Sequence, residues 1–147
     1  MIYVVDASVF NKLYLDEPDK GQVQAFFRFC GEQRHETVAP TLLMFEAFRT
    51  ALHFGLPVKV PMSLIDGLGG LGFSLVEPDA AVWEKAQEIA SSGHPKSGYP
   101  DPEDSLYHAL AVTQGGTFIT ADRRHVTKAK AFGHLRLLSD WTPSPDA

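Results

Sequence analysis

Four carboxylates carry the chemistry open to this chain: Asp6, Glu46, Asp104 and Asp122. Asp6 closes the apolar run Ile2-Tyr3-Val4-Val5 and opens a helix-like stretch at Ala7-Ser8-Val9-Phe10. Asp122 repeats the arrangement after Thr117-Phe118-Ile119-Thr120-Ala121. A carboxylate at the C-terminal end of a buried parallel strand faces the crevice where open α/β sheets hold their ligands. Glu46 and Asp104 stand early in helical segments, from which they can converge on the same sheet edge. Mg²⁺ and Mn²⁺ prefer carboxylate and water oxygens. One or two such ions turn water into a nucleophile and steady the charge on a phosphate during displacement. Phosphate-ester hydrolysis is so slow unaided that this charge stabilisation is the large requirement. Clustered acids also raise each other's pKa when no cation is present, so stability alone gives no reason to gather four.

Each acid has a structural reading as well. Asp6 and Asp122 both precede a helix start, and Asp is a favoured N-cap. Position alone leaves capping and metal binding open; recurrence at two strand ends favours the metal. In Asp101-Pro102-Glu103-Asp104, Asp101 fits the N-cap and Pro102 the first helical position. Asp104 then falls where an acid completes a capping box or complements the helix dipole. Asp101 reads as the cap and Glu103 as solvated, either with capacity for an accessory ligand. Glu46 sits among Leu42, Leu43, Phe45 and Phe48. A carboxylate in that company needs a partner, and Arg49 at i+3 or a metal would each serve.

The bases are unevenly placed. Arg123, Arg124, Lys128, Lys130 and Arg136 crowd one stretch beside Asp122. For the lysines a solvated helix face is expected. Arg123 and Arg124 are open between that and a rim that holds nucleic-acid phosphates. His108 shares a helix face with Asp104 four residues before it, and a structural hydrogen bond is expected for it. His125 is open between substrate contact and plain surface placement. Cys30 lies on an apolar helical stripe and reads as core.

The elements that must position these groups alternate. Strands are predicted at 2–5, 37–39, 73–76, 117–120 and 135–138. Helices are predicted at 7–15, from Pro18, from Pro40 to Gly55, over 60–68, after Asp79, over 103–114 and over 123–132, with 91–102 a loop. This predicts an α/β fold with a mostly parallel central sheet flanked by helices. A chain of 147 residues with 44% apolar content fits one domain, expected over 1–142, with 143–147 a frayed tail. The net charge of -5 makes it no obvious polyanion binder, unless the acids are gathered in a metal site and the bases lie elsewhere. The single cysteine excludes an intramolecular disulfide and a thiolate zinc cluster, and points to a reducing, cytoplasmic setting. No basic region precedes the first apolar run, so a signal peptide is not expected. No apolar stretch is long enough to cross a bilayer.

Four motifs in order, Val4-Val5-Asp6-Ala7-Ser8, Phe45-Glu46, Asp104-Ser105-Leu106-Tyr107-His108-Ala109-Leu110-Ala111 and Thr120-Ala121-Asp122-Arg123-Arg124, resemble a PIN-domain ribonuclease. The resemblance spans nearly the whole chain and is to the VapC type in particular, the toxin of a toxin–antitoxin pair. It implies a single PIN-like α/β domain and an endoribonuclease dependent on Mg²⁺ or Mn²⁺ that leaves a 5′-phosphate and a 3′-hydroxyl. It also implies an RNA substrate, a cognate antitoxin and a homodimer. Carried over by motif, Asp6, Glu46, Asp104 and Asp122 are the catalytic quartet, with Asp6, Asp104 and Asp122 as metal ligands. Ser8 and Thr120 resemble the family's small polar partners that position the acids. With Arg49, Arg123 and Arg124 they make up the candidate substrate-binding set. Two positions depart from the pattern: Arg49 stands where the family often has Asn, and His125 where it often has Phe. The alternatives are an RNA-processing PIN nuclease without antitoxin and a non-catalytic RNA-binding module. A haloacid-type phosphatase would need Asp where Ser8 stands, and a receiver domain an acidic pair that Asp6 lacks.

Overall fold

The computed structural model describes residues 1–143. Apolar runs rich in β-branched and aromatic residues form β1 (Ile2–Val5), β2 (Glu36–Pro40), β3 (Phe73–Val76), β4 (Thr117–Thr120) and β5 (Leu135–Leu137). They lie in one all-parallel sheet of order β3-β2-β1-β4-β5. Between them run α1 (Ala7–Phe10), α2 (Lys20–Glu32), α3 (Leu42–His53), α4 (Lys59–Leu68), α5 (Ala80–Ala90), α6 (Pro102–Gln114) and α7 (Arg123–Ala129). The chain winds outward from β1 to β3, then crosses back to β4 and β5. The order therefore reverses at the β1–β4 boundary, and the crevice of such a sheet opens there, beyond the strands' C-terminal ends. Val5 is level with Ile119, which brings Asp6 beside Thr120.

The two strands at the boundary are the deepest part of the core. Val4, Val5, Phe118 and Ile119 are fully buried. Helix α6 crosses β1, β2 and β4 and packs on α5. Its residues from Ser105 to Ala111 are consequently buried on every side. Asp104 is the last residue before that buried run, so it enters the crevice from a rigid element.

Several boundaries differ from expectation. The helix expected over 7–15 ends at Phe10 and tightens into a 3-10 turn, Asn11–Leu13. Tyr14 donates to Asn11 Oδ1 at 2.5 Å, and Asn11 Nδ2 donates to Thr50 Oγ1 at 3.0 Å, tying the turn to α3. Pro40 ends β2 instead of starting the next helix. Glu36 donates to Met1, so alternation turns the Pro40 nitrogen toward β1, whose pairing with β2 has already ended at Val38. Helix α7 stops at Ala129, and Lys130–Phe132 form a 3-10 turn. The second helix starts at Lys20, two residues after Pro18. Among the described residues no helix is long and apolar enough to cross a membrane. Of the expected tail, 144–147 lie outside the described residues.

Candidate active site

Asp6 is the centre of the site. It is 2% exposed, and its carboxylate accepts from Ser8 Oγ at 2.5 Å, Thr120 Oγ1 at 2.6 Å and the Val9 amide at 3.1 Å. The Val9 bond is an N-cap. Capping and site formation are thus not alternatives, because one oxygen serves α1 while the other is held from across the sheet. Burial pushes the Asp6 pKa up, against the lowering effect of the three donors, and the nearby Asp122 adds to the rise.

Asp122 follows β4 as the N-cap of α7, accepting from the amides of Arg124 at 2.9 Å and His125 at 3.3 Å. Its own amide donates to Thr120 Oγ1 at 3.0 Å. Asp104 approaches it from α6, and each carboxyl shifts the other's proton affinity. Asp104 is raised to about 9 by burial and by the neighbouring carboxyls of Asp122, Asp6 and Asp101. Asp122 is lowered: partial burial works against ionisation, but the neighbouring Asp104 carboxyl and the two cap amides outweigh it. The helix cap here is Asp101, whose Oδ1 accepts from the Glu103 and Asp104 amides. This leaves the Asp104 carboxyl free for the crevice.

Glu46 comes from α3. Its partner is the Tyr107 hydroxyl, a short hydrogen bond from α6. Burial raises Glu46 to about 7; Tyr107 lowers it, and Glu103 and Asp6 raise it. The ion pair with Arg49 does not form. The Arg49 guanidinium instead lies over the Phe45 ring, 5.1 Å from its centroid.

The acids therefore meet through Asp6, which couples electrostatically to Asp104, Asp122 and Glu46. Asp104 and Asp122 also line an open cleft of about 470 Å³, together with Tyr99, Arg124 and Lys128. The donor set is all carboxylate oxygen, which suits a hard divalent cation. Among the described residues no three acid, histidine or cysteine side chains close around one point. The raised Asp104 marks where positive charge is short. Mg²⁺ is commonly bound by one or two carboxylates with several waters retained. The chemistry of the donors, the Asp104 and Asp122 carboxyls on the cleft with Asp6 behind them, fits an ion of that kind.

Other assignments change. Thr120 is fully buried, so it positions Asp6 and Asp122 and does not reach substrate. Ser8 is exposed, donates to Asp6 and accepts the Ala121 amide at 3.1 Å. His125 is not a surface residue: it is 2% exposed, packs against Phe118 and His108, and borders the acidic cleft. His108 makes the expected structural bonds, with its Nε2 2.7 Å from Gly133 O and its Nδ1 3.0 Å from His125 Nε2. The carbonyl can only accept, so His108 Nε2 bears hydrogen and His125 Nε2 donates to His108 Nδ1. Burial lowers the pKa of both rings, that of His125 to about 4, which favours their neutral forms. Cys30 is buried in the core, as expected. Tyr107 and Glu103 are the site residues that sequence reasoning undervalued. The i+3 spacing from Asp104 pointed to Tyr107 as directly as i+4 did to His108.

The chain matches the PIN domain family over residues 3–131 and belongs to it. No curated protein matches it in sequence. Among solved structures it is similar to a chain of VapBC2 from Rickettsia felis, solved bound to a DNA fragment from their promoter. That likeness has a TM-score of 0.68 at 14% identity, over 93% of this chain and 97% of that one. It is similar to a chain of VapBC-1 from nontypeable Haemophilus influenzae, with a TM-score of 0.67 at 14% identity, over 95% and 100%. A PilT N-terminus domain protein from Sulfolobus solfataricus P2 matches with a TM-score of 0.51 at 19% identity, over 95% and 89%. At these identities the likenesses establish a shared fold.

Proposed function

We propose that the protein is a metal-dependent endoribonuclease and the toxin of a toxin–antitoxin pair. The observation that carries the nuclease reading is the convergence of Asp104 and Asp122 on one cleft beside the buried Asp6, at the sheet's switch point. Asp6, Asp104 and Asp122 would hold a hydrated Mg²⁺ or Mn²⁺, which when bound supplies a more acidic water and offsets charge on the phosphate. Ser8 and Thr120 fix the Asp6 carboxylate, so little reorganisation is left for the reaction. Glu46, poised near 7 and oriented by Tyr107, can take up or return a proton near neutral pH. Arg124 and Lys128 on the cleft wall supply positive charge for the phosphodiester backbone.

An antitoxin partner is supported by the fold shared with the VapBC chains and by an exposed apolar face on α3 and α4. Phe45 is 55%, Leu52 64% and Met62 48% exposed there, a patch of the kind that binds protein. The same face offers a homodimer contact. A processing nuclease without antitoxin would purify with no small acid-groove-blocking protein attached.

The test is cleavage of a fluorogenic single-stranded RNA by purified, partner-free protein, titrated with Mn²⁺ and Mg²⁺. Cleavage is expected with metal and is expected to vanish in EDTA and in Asp6→Asn. A folded protein that cuts none of several RNAs in either metal would turn the reading toward a non-catalytic RNA-binding module.

A further inference from the structure

A second pocket, of about 430 Å³, lies between the 91–101 loop and α7, and no carboxylate lines it. His94, Arg123, Arg124 and Lys128 do, in a chain of net charge -5. Arg123, Arg124 and Lys128 form no ion pair among the described residues, where the pairs are Lys12 with Glu17 and Asp19, and Lys85 with Glu88. Lys128 donates to Tyr99 O at 3.2 Å, and Arg123 has only a long contact with Ser139 Oγ, at 3.5 Å. Gathering three unpaired cations costs repulsion that an anion would remove.

The loop wall is built, not loose. His94 and Gly98 exchange backbone hydrogen bonds at 3.1 and 2.7 Å. The Lys96 amide donates to His94 Nδ1 at 3.1 Å. With Nδ1 accepting, Nε2 is the ring nitrogen left to donate. A side chain at Gly93 would meet Gly98 O at 2.3 Å, so the bend requires glycine. Arg124 and Lys128 line both this pocket and the acidic cleft, making the two contiguous. At their boundary Tyr99 is 49% exposed, a π-face available for stacking.

We propose that this pocket is a second phosphate subsite, holding an internucleotide phosphate of single-stranded RNA beside the bond at the acids, with Tyr99 stacking the adjoining base. The proposal rests on the nuclease reading for what lies in the acidic cleft. It gives the cations and the aromatic one task, because backbone charge and base stacking together hold single strands without reading sequence. It also accounts for RNA binding by an acidic protein, since the positive charge is local.

The experiment is fluorescence anisotropy of a fluorescein-labelled twelve-nucleotide RNA in EDTA, across a salt series, with cleavage of the same RNA in Mn²⁺ run in parallel. The Arg124→Gln/Lys128→Gln variant is expected to bind about tenfold more weakly and to lose about 1–2 from the salt slope. Tyr99→Ala is expected to weaken RNA binding about tenfold and Tyr99→Phe to retain it. Inorganic phosphate and AMP serve as competitors: if either displaces RNA equally from wild type and Tyr99→Ala, the pocket takes a free phosphate and the strand assignment is overturned. Wild-type binding unchanged in the double variant, or no wild-type binding, also overturns it. Cleavage with unaltered binding would sink the subsite and keep the nuclease; altered binding with no cleavage would do the reverse.

Discussion

The Thr120 hydroxyl donates to Asp6 at 2.6 Å and accepts the Asp122 amide at 3.0 Å, so one buried oxygen sets two acids from adjacent strands. Thr120→Val keeps the shape and deletes both bonds. Removing such a supporting group commonly costs 10–100-fold in metal affinity or activity, and about that loss is expected here. The stranded groups should also cost about 1–3 kcal/mol of stability. The check is cleavage rate against Mn²⁺ concentration beside a thermal melt; a folded variant with unchanged Mn²⁺ dependence would refute the positioning role.

The raised acids set a pH dependence for metal-free stability. Asp104 at about 9 and Glu46 at about 7 bind protons more tightly folded than unfolded. Their contribution is complete below the ordinary carboxylate range and is lost as pH rises through the folded values. His125, lowered to about 4, has the opposite sign: its contribution is present above its unfolded value near 6.5 and is lost as pH falls toward 4. The carboxyls therefore act alone above about pH 6.5. Melting in EDTA should give a falling temperature from pH 6.5 to 9, and Mn²⁺ should raise it most at the alkaline end, where more ligand oxygens are ionised.

Asp104→Asn separates a ligand from a structural acid. It removes a carboxyl that burial and three neighbouring acids disfavour, and leaves the Asp101 cap intact. Cleavage is expected to be abolished while the metal-free melting temperature at pH 8 stays level or rises, about 4 °C for each kcal/mol released. A clear fall in that temperature would mean that Asp104 supports the fold.

Tyr107→Phe tests the partner of Glu46. The hydroxyl lowers the Glu46 pKa against its burial, so its loss should move the acid limb of the pH–rate profile upward. A stability loss of about 1 kcal/mol is expected for the missing bond. An unmoved acid limb would remove Glu46 from proton transfer. Arg49→Ala, by contrast, should leave that limb in place, because Arg49 rests on Phe45.

Much of the site was legible from residue types and order. Short apolar runs ending in Asp made β1 and β4 recognisable, and Asp101-Pro102 marked the start of α6, because caps and strand ends are local chemistry. The alternation of strands with helices required a parallel α/β sheet. Asp6, Glu46, Asp104 and Asp122 could be chosen before any contact was known, since each stood in an element able to reach one sheet edge.

What the chain alone could not decide is which faces meet. Glu46 and Tyr107 are 61 residues apart and bond only because α3 and α6 converge. His125 is one turn from Asp122, yet the packing of α7 on β4 buries it against Phe118. Arg49 had an acid three residues away and took an aromatic ring instead. Whether Arg123 and Arg124 form a solvated face or a phosphate rim could not be read from the chain, which does not show that they line one pocket with the 91–101 loop. Periodicity reports the buried side of one element, whereas partners, pKa shifts and pockets arise where two elements displace water from the space between them.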